Sequence, residues 1–133
     1  MASYVTDTHP LLWFAGSARG KLSSEVRRIF QRCERGEDVI YVPAGVVWES
    51  ALILEQDKVR LPPSFRAWWD ARLACPTLIY APLELAHIQE AYGLQALEGP
   101  LDRLIVGTTR VLGLPLLTRD RTITESGLVD VRW

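Results

Sequence analysis

Residues 3–14, SYVTDTHPLLWF, decide how the chain reads. Tyr4, Val5 and Thr6 are strand formers that stop at an acid, Asp7, and an apolar helical run opens around Pro10. The same grammar returns along the chain. Strand-like runs VIYVP (39–43), TLIYA (77–81), LPLLT (114–118) and a weaker LVDVRW (128–133) alternate with helical stretches near 9–15, 22–35, 43–57, 62–74, 83–92 and 100–112. Pro43, Pro62, Pro82 and Pro100 stand where first helical turns would begin, the position at which a missing N–H costs least. Alternating strands and helices imply βαβ units, and strands that are apolar throughout imply a sheet covered on both faces. The expected fold class is α/β: a three-layer α/β/α domain around a central, mostly parallel sheet, one domain over residues 1–133.

The bulk composition narrows the function classes. Of 133 residues, 48% are apolar and 23% charged, as in soluble globular proteins. A net charge of −1 supplies no overall positive field for a polyanion. Lys21 and Lys58 are the only lysines, so the positive charge is almost all arginine, which suits planar contacts to carboxylate or phosphate. Cys33 and Cys75 are distant in sequence and form no CxxC or Cys/His cluster; both read as buried free thiols in helices, compatible with a reducing cytoplasm. The start of the chain lacks the pattern of a secretory leader, and no apolar run reaches the length of a membrane span. A soluble, cytoplasmic protein with no membrane association is expected.

Ligands of parallel α/β sheets gather beyond the carboxyl ends of the strands, which makes the address of each acid informative. Asp7 and Asp120 follow two different strands; as ordinary structure, the first would cap a helix and the second would sit in a turn. Glu49, in PAGVVWESALIL (43–54), shares a helical stripe with Val46 and Ile53. Asp102 sits in the first turn after Pro100, where the helix dipole favours it, yet it shares a stripe with Ile105 and Val106. Two inward acids on two helices, with two more at strand ends, need compensation. A hard divalent cation, Mg²⁺ or Mn²⁺, is the natural source.

The segments VTDTHPLLWF (5–14), VPAGVVWESALI (42–53), GPLDRLIVGTTR (99–110) and LPLLTRD (114–120), in that order, resemble the four signature segments of PIN-domain nucleases. The toxin of VapBC toxin–antitoxin systems, a VapC-type ribonuclease, is the most similar group, and the resemblance runs to the closing VRW. It implies a PIN-like fold whose catalytic and metal-binding acids are Asp7, Glu49, Asp102 and Asp120. It further implies Thr118 at the pocket edge, Mg²⁺ or Mn²⁺ as cofactor, and an RNA substrate cut to leave a 5′-phosphate and a 3′-hydroxyl. A VapB-like antitoxin and a homodimer complete the implied set. One segment departs from the family pattern: many relatives carry aspartate at the place of Gly99, with a histidine shortly before, where this chain reads LEGPLDR (97–103). A weaker helix start rather than lost catalysis is expected there. Arg103, Arg119 and Arg121 flank two of the acids and would either grip RNA phosphates or neutralise the acids, with phosphate contact preferred.

Other residues read more plainly. His9 and His87 have no ligand spacing to the acids, and Trp13 and Phe14 read as core. Trp68 and Trp69 are adjacent, so a helix cannot bury both equally, and one is a candidate for a dimer or antitoxin surface. A haloacid dehalogenase-type phosphotransferase would need aspartate at His9. The stretch GSARGKLSS (16–24) is one residue short of a P-loop and has leucine after Lys21. A stand-alone PIN-type RNA-processing nuclease and a catalytically silent PIN-like binding module remain the alternatives to a toxin.

Overall fold

The computed structural model describes residues 1–57 and 64–133. Among these, the chain runs β1 (Ser3–Thr6), α1 (Thr8–Ala15), a turn of 3₁₀ helix (Arg19–Lys21), α2 (Ser24–Glu34), β2 (Val39–Pro43) and α3 (Ala44–Gln56). It continues through α4 (Phe65–Leu73), β3 (Leu78–Ala81), α5 (Leu85–Tyr92), α6 (Pro100–Leu112), β4 (Leu116–Leu117), α7 (Arg121–Ser126) and β5 (Val131–Arg132). The strands form one all-parallel sheet in the order β3-β2-β1-β4-β5. The expected α/β architecture around a central parallel sheet is therefore present. β1 is the central strand: β2 and β3 extend the sheet on one side of it, and β4 and β5 on the other. The reversal places a topological switch point beyond the carboxyl ends of β1 and β4.

The register there is specific. Val5 pairs with Leu116 and Thr6 with Leu117, and the Asp7 amide donates to the Leu117 carbonyl at 3.0 Å, carrying the ladder one residue past β1. Val5, Ile40, Val42, Leu116 and Leu117 are fully enclosed, as strands covered on both faces require. Phe14 of α1 stacks on Phe30 of α2, ring centroids 4.8 Å apart. On the helix side, α5 and α6 approach so closely at Gly107 that a Cβ there would lie 2.9 Å from both the Ala91 amide nitrogen and the His87 carbonyl oxygen. Gly45 does the same job less tightly where α3 meets Ile105 of α6. Close backbone approach is the reason for glycine at position 107, whereas at Gly45 the space is taken by the Ile105 and Leu104 side chains.

Some boundaries differ from expectation. Pro100 is the first residue of α6, but Pro43 ends β2 and precedes α3, and Pro82 lies three residues ahead of α5. Pro62 lies outside the described residues. β4 is shorter than LPLLT, and the β-branched residues of RTIT hid α7, whose helical propensity is low. Cys75 lies in the turn after α4 rather than in a helix. Trp69 is buried and Trp68 packs at the edge of the core, while Trp48 on α3 is the largely exposed tryptophan.

Candidate active site

Asp7 leaves β1 at the switch point and is only 7% exposed. It is the N-cap of α1: one carboxylate oxygen accepts from the Thr8 amide at 2.8 Å. The other accepts from the Thr118 hydroxyl, just past β4, at 2.7 Å. Burial raises the pKa of this carboxyl above the usual carboxylate range; the Thr118 and Thr8 hydrogen bonds pull it back, Glu49 adds to the rise, and His9 opposes it. The plain reading of Asp7 as a cap is thus realised, and the cap fixes the direction of its carboxylate.

The other three acids arrive from separate elements. Glu49, on the middle of α3, accepts a short hydrogen bond from the Thr8 hydroxyl, so Thr8 serves Asp7 with its amide and Glu49 with its side chain. Asp120 N-caps α7 through the Ile123 amide at 3.0 Å, and its own amide donates to Thr118 Oγ1 at 3.0 Å. Thr118 therefore links the ends of β1 and β4 through one hydroxyl. Asp102, in the first turn of α6, has its pKa pushed up to about 6, first by burial and then by the charges of Asp7, Asp120 and Glu49. Thr8 and Thr118 tie Asp7, Glu49 and Asp120 together, Asp102 lies within reach of their charge, and among the described residues none of the four is in a salt bridge.

The arginines divide. Arg119 lies over the Trp13 ring, 4.7 Å from its centroid, and lines a cleft of about 250 Å³ with Asp7, His9, Trp13, Thr118 and Asp120. Trp13 is accordingly not only core: one part packs inward and another forms the wall of this cleft. Arg121 is exposed and pairs with Glu125 on its own helix at 3.2 Å. Arg103 faces away from the acids: its guanidinium donates to the Ala91 carbonyl at 3.0–3.1 Å and to the Tyr92 carbonyl at 2.9 Å, closing the carboxyl end of α5. These bonds engage the Arg103 guanidinium with the backbone of α5. His87 is buried, with Nδ1 accepting from the Glu84 amide at 3.2 Å. Gly99 is the N-cap of α6 without a side-chain cap, and a Cβ there would lie 2.8 Å from Asp102 Oδ2, so the absent side chain leaves room for the Asp102 carboxylate.

Carboxylate and hydroxyl oxygens are hard donors, suited to Mg²⁺ or Mn²⁺ rather than to thiophilic ions. Among the described residues, no three His, Cys, Asp or Glu side chains lie close enough to enclose an ion by themselves. The arrangement fits an ion that takes one or two of these carboxylates and completes its shell with water and substrate oxygens, which is the habit of Mg²⁺. A cation would also relieve the repulsion that raises Asp102.

No protein-family model matches the chain, and no curated protein matches it in sequence. Solved structures do. The VapBC2 complex of Rickettsia felis, bound to promoter DNA, is similar at a TM-score of 0.74 and 12% identity, covering 98% of both chains. The DNA-bound VapBC of Salmonella typhimurium gives 0.68 and 14%, with 99% of this chain and 98% of the other covered. The sarcin–ricin loop cleaving toxin VapC20 of Mycobacterium tuberculosis gives 0.63 and 14%, covering 98% and 99%. Over its whole length, the chain has the PIN-like fold of these VapC-type toxin structures.

Proposed function

We propose that this protein is a metal-dependent endoribonuclease and the toxin of a type II toxin–antitoxin pair. One observation carries the reading: Asp7, Glu49, Asp102 and Asp120 are near enough that the charge of the other three raises the pKa of Asp102, and among the described residues none of the four forms a salt bridge. Charges kept together at such cost point to a ligand that neutralises them. Mg²⁺ or Mn²⁺ held by Asp7 and Asp102, with Glu49 and Asp120 beside them, would supply Lewis acidity toward a phosphate and lower the pKa of water. Thr118 and the Thr8 amide fix both oxygens of Asp7, leaving little reorganisation for binding. Thr8 holds Glu49, and Asp120 is fixed by its capping bond. Arg119, over Trp13 at the rim of the cleft, would meet an RNA phosphate, and Arg121 would extend the basic edge around α7. Proton release from Asp102 on metal binding makes metal affinity rise with pH through about 6.

The likeness to VapBC complexes, and to a toxin that cleaves the sarcin–ricin loop, supports an RNA substrate and a small VapB-like antitoxin for this chain too. A homodimer belongs to the same proposal: Leu85, Ile88 and Tyr92 form an exposed apolar face of α5 whose burial would favour self-association. The test incubates the purified protein with a mixed RNA pool in Mg²⁺, Mn²⁺ or EDTA, beside Asp7→Asn. Cleavage should require the metal and fall by about 10²-fold or more in the variant. Equal cleavage in chelator, or binding without cleavage, overturns the proposal. Co-expression with the neighbouring reading frame separates a toxin from a stand-alone processing enzyme, since only the former is silenced.

A further inference from the structure

The two cysteines, 42 residues apart in sequence, meet in space. Cys33 is in the last turn of α2, and Cys75 is in the turn that leads into β3. Both sulfurs rest against one hydroxyl, Thr77 Oγ1, at 3.8 Å for Cys33 and 3.4 Å for Cys75. The Cys75 thiol donates to the Cys33 carbonyl at 3.6 Å, and the Thr77 hydroxyl donates to the same carbonyl at 2.6 Å. The Cys33 thiol donates in turn to the Thr77 carbonyl at 3.3 Å.

The pair opens into a cleft of about 280 Å³ between α1, α2 and α4, walled by Phe14, Phe30, Arg19 and Arg72 as well as by both cysteines. The cleft is separate from the one at Asp7 and shares none of its lining residues. The two sulfurs are not equivalent. Cys33 is only 3% exposed, and burial pushes its thiol up to about 11. Cys75 is half-buried. Burial opposes its ionisation, but its contacts with the Thr77 side chain and with the Thr77 and Leu78 amides outweigh that and hold it below the usual thiol value. A more accessible, more readily ionised thiol backed by a buried partner is the arrangement of an attacking and a resolving cysteine.

We infer that Cys33 and Cys75 are a reversible thiol–disulfide pair, a modification site for low-molecular-weight disulfides such as glutathione disulfide. The Cys75 thiolate attacks one sulfur of the small disulfide, forming a mixed disulfide and expelling one thiolate. The Cys33 thiol then loses its proton to solvent and attacks the Cys75 sulfur, forming the internal disulfide and expelling the second thiolate. The protein dithiol is oxidised by two electrons, and one disulfide is reduced to two thiols. The product joins the end of α2 to the start of β3 and fixes one wall of the cleft.

The test incubates the reduced full-length protein with glutathione disulfide and follows free thiols, intact mass and thermal unfolding. Both thiols should disappear together with the loss of one H₂ from the intact mass, reversibly with dithiothreitol. The unfolding midpoint should rise by on the order of 10 °C, because a long loop is closed in the unfolded chain. Cys33→Ser should stop at a stable glutathione adduct on Cys75, and Cys75→Ser should not react. A persistent adduct on the parent protein, independent oxidation of the thiols, an intermolecular disulfide, or no reaction each overturns the inference. None of these outcomes depends on RNA cleavage.

Discussion

Replacing Asp102 with asparagine should make the protein more stable and, at the same time, inactive. The folded-state pKa of Asp102 lies at about 6 against an ordinary 3.8, raised first by burial and then by three like charges. A carboxyl shifted in that direction contributes stability that is fully present below pH 3.8 and lost as pH rises through about 6. Taken at face value, the shift amounts to about 3 kcal/mol at neutral pH. The side chain is only half-buried, so solvent screening reduces this to roughly 1–1.5 kcal/mol. Asp102→Asn removes the ionisation while keeping the shape. Metal-free thermal unfolding at pH 7.5 should therefore show a midpoint about 4–5 °C above the parent. At pH 4 the two proteins should unfold together. Added Mg²⁺ should stabilise the parent more than the variant and narrow the gap, because a ligand of the folded state stabilises in proportion to its affinity. An asparagine variant that is less stable at pH 7.5, or a difference that ignores pH, would refute the convergence of charges on which the site rests.

Three further substitutions separate structure from chemistry. Thr118→Val removes the donor to Asp7 and the acceptor of the Asp120 amide; urea unfolding should show a loss of about 1–3 kcal/mol, with a fall in cleavage even at saturating Mg²⁺. Arg103→Met uncaps the end of α5 and should lower the unfolding midpoint by a few degrees while leaving the cleavage rate of the remaining folded protein unchanged, which an RNA-gripping arginine would not do. Gly107→Ala pushes a methyl group into the backbone of α5 and should destabilise by about 1–3 kcal/mol, visible as faster hydrogen exchange in α5 and α6.

The fold was legible because its strands carry uninterrupted apolar runs and end in acids or turns, and the proline at position 100 marks a helix start without ambiguity. The acids were legible for the same reason: Asp7, Glu49, Asp102 and Asp120 each violate a local pattern or sit at a strand end. The partners that hold them were harder to see. Thr118 pairs with Asp7 across 111 residues, and only the strand order, with β4 beside β1, brings them together. Thr8 gives no sign in the sequence that it serves two acids, one through its amide and one through its hydroxyl. Arg103 follows Asp102 directly, and adjacent helical residues point about 100° apart, which sends its guanidinium to α5. The cysteines looked unrelated because nothing local announces that β3 will lie next to β2 and carry Cys75 to the foot of α2.

The bond between Thr118 and Asp7 also has a bearing on synthesis. A ribosome making this chain completes β1 some 110 residues before it can supply the strand that covers its second edge. Until that moment the first acid lacks its hydroxyl partner, and the fourth has not been made. A nascent chain that stops short of Thr118 therefore cannot assemble the proposed site, because both the hydroxyl that holds Asp7 and the neighbouring Asp120 are still missing.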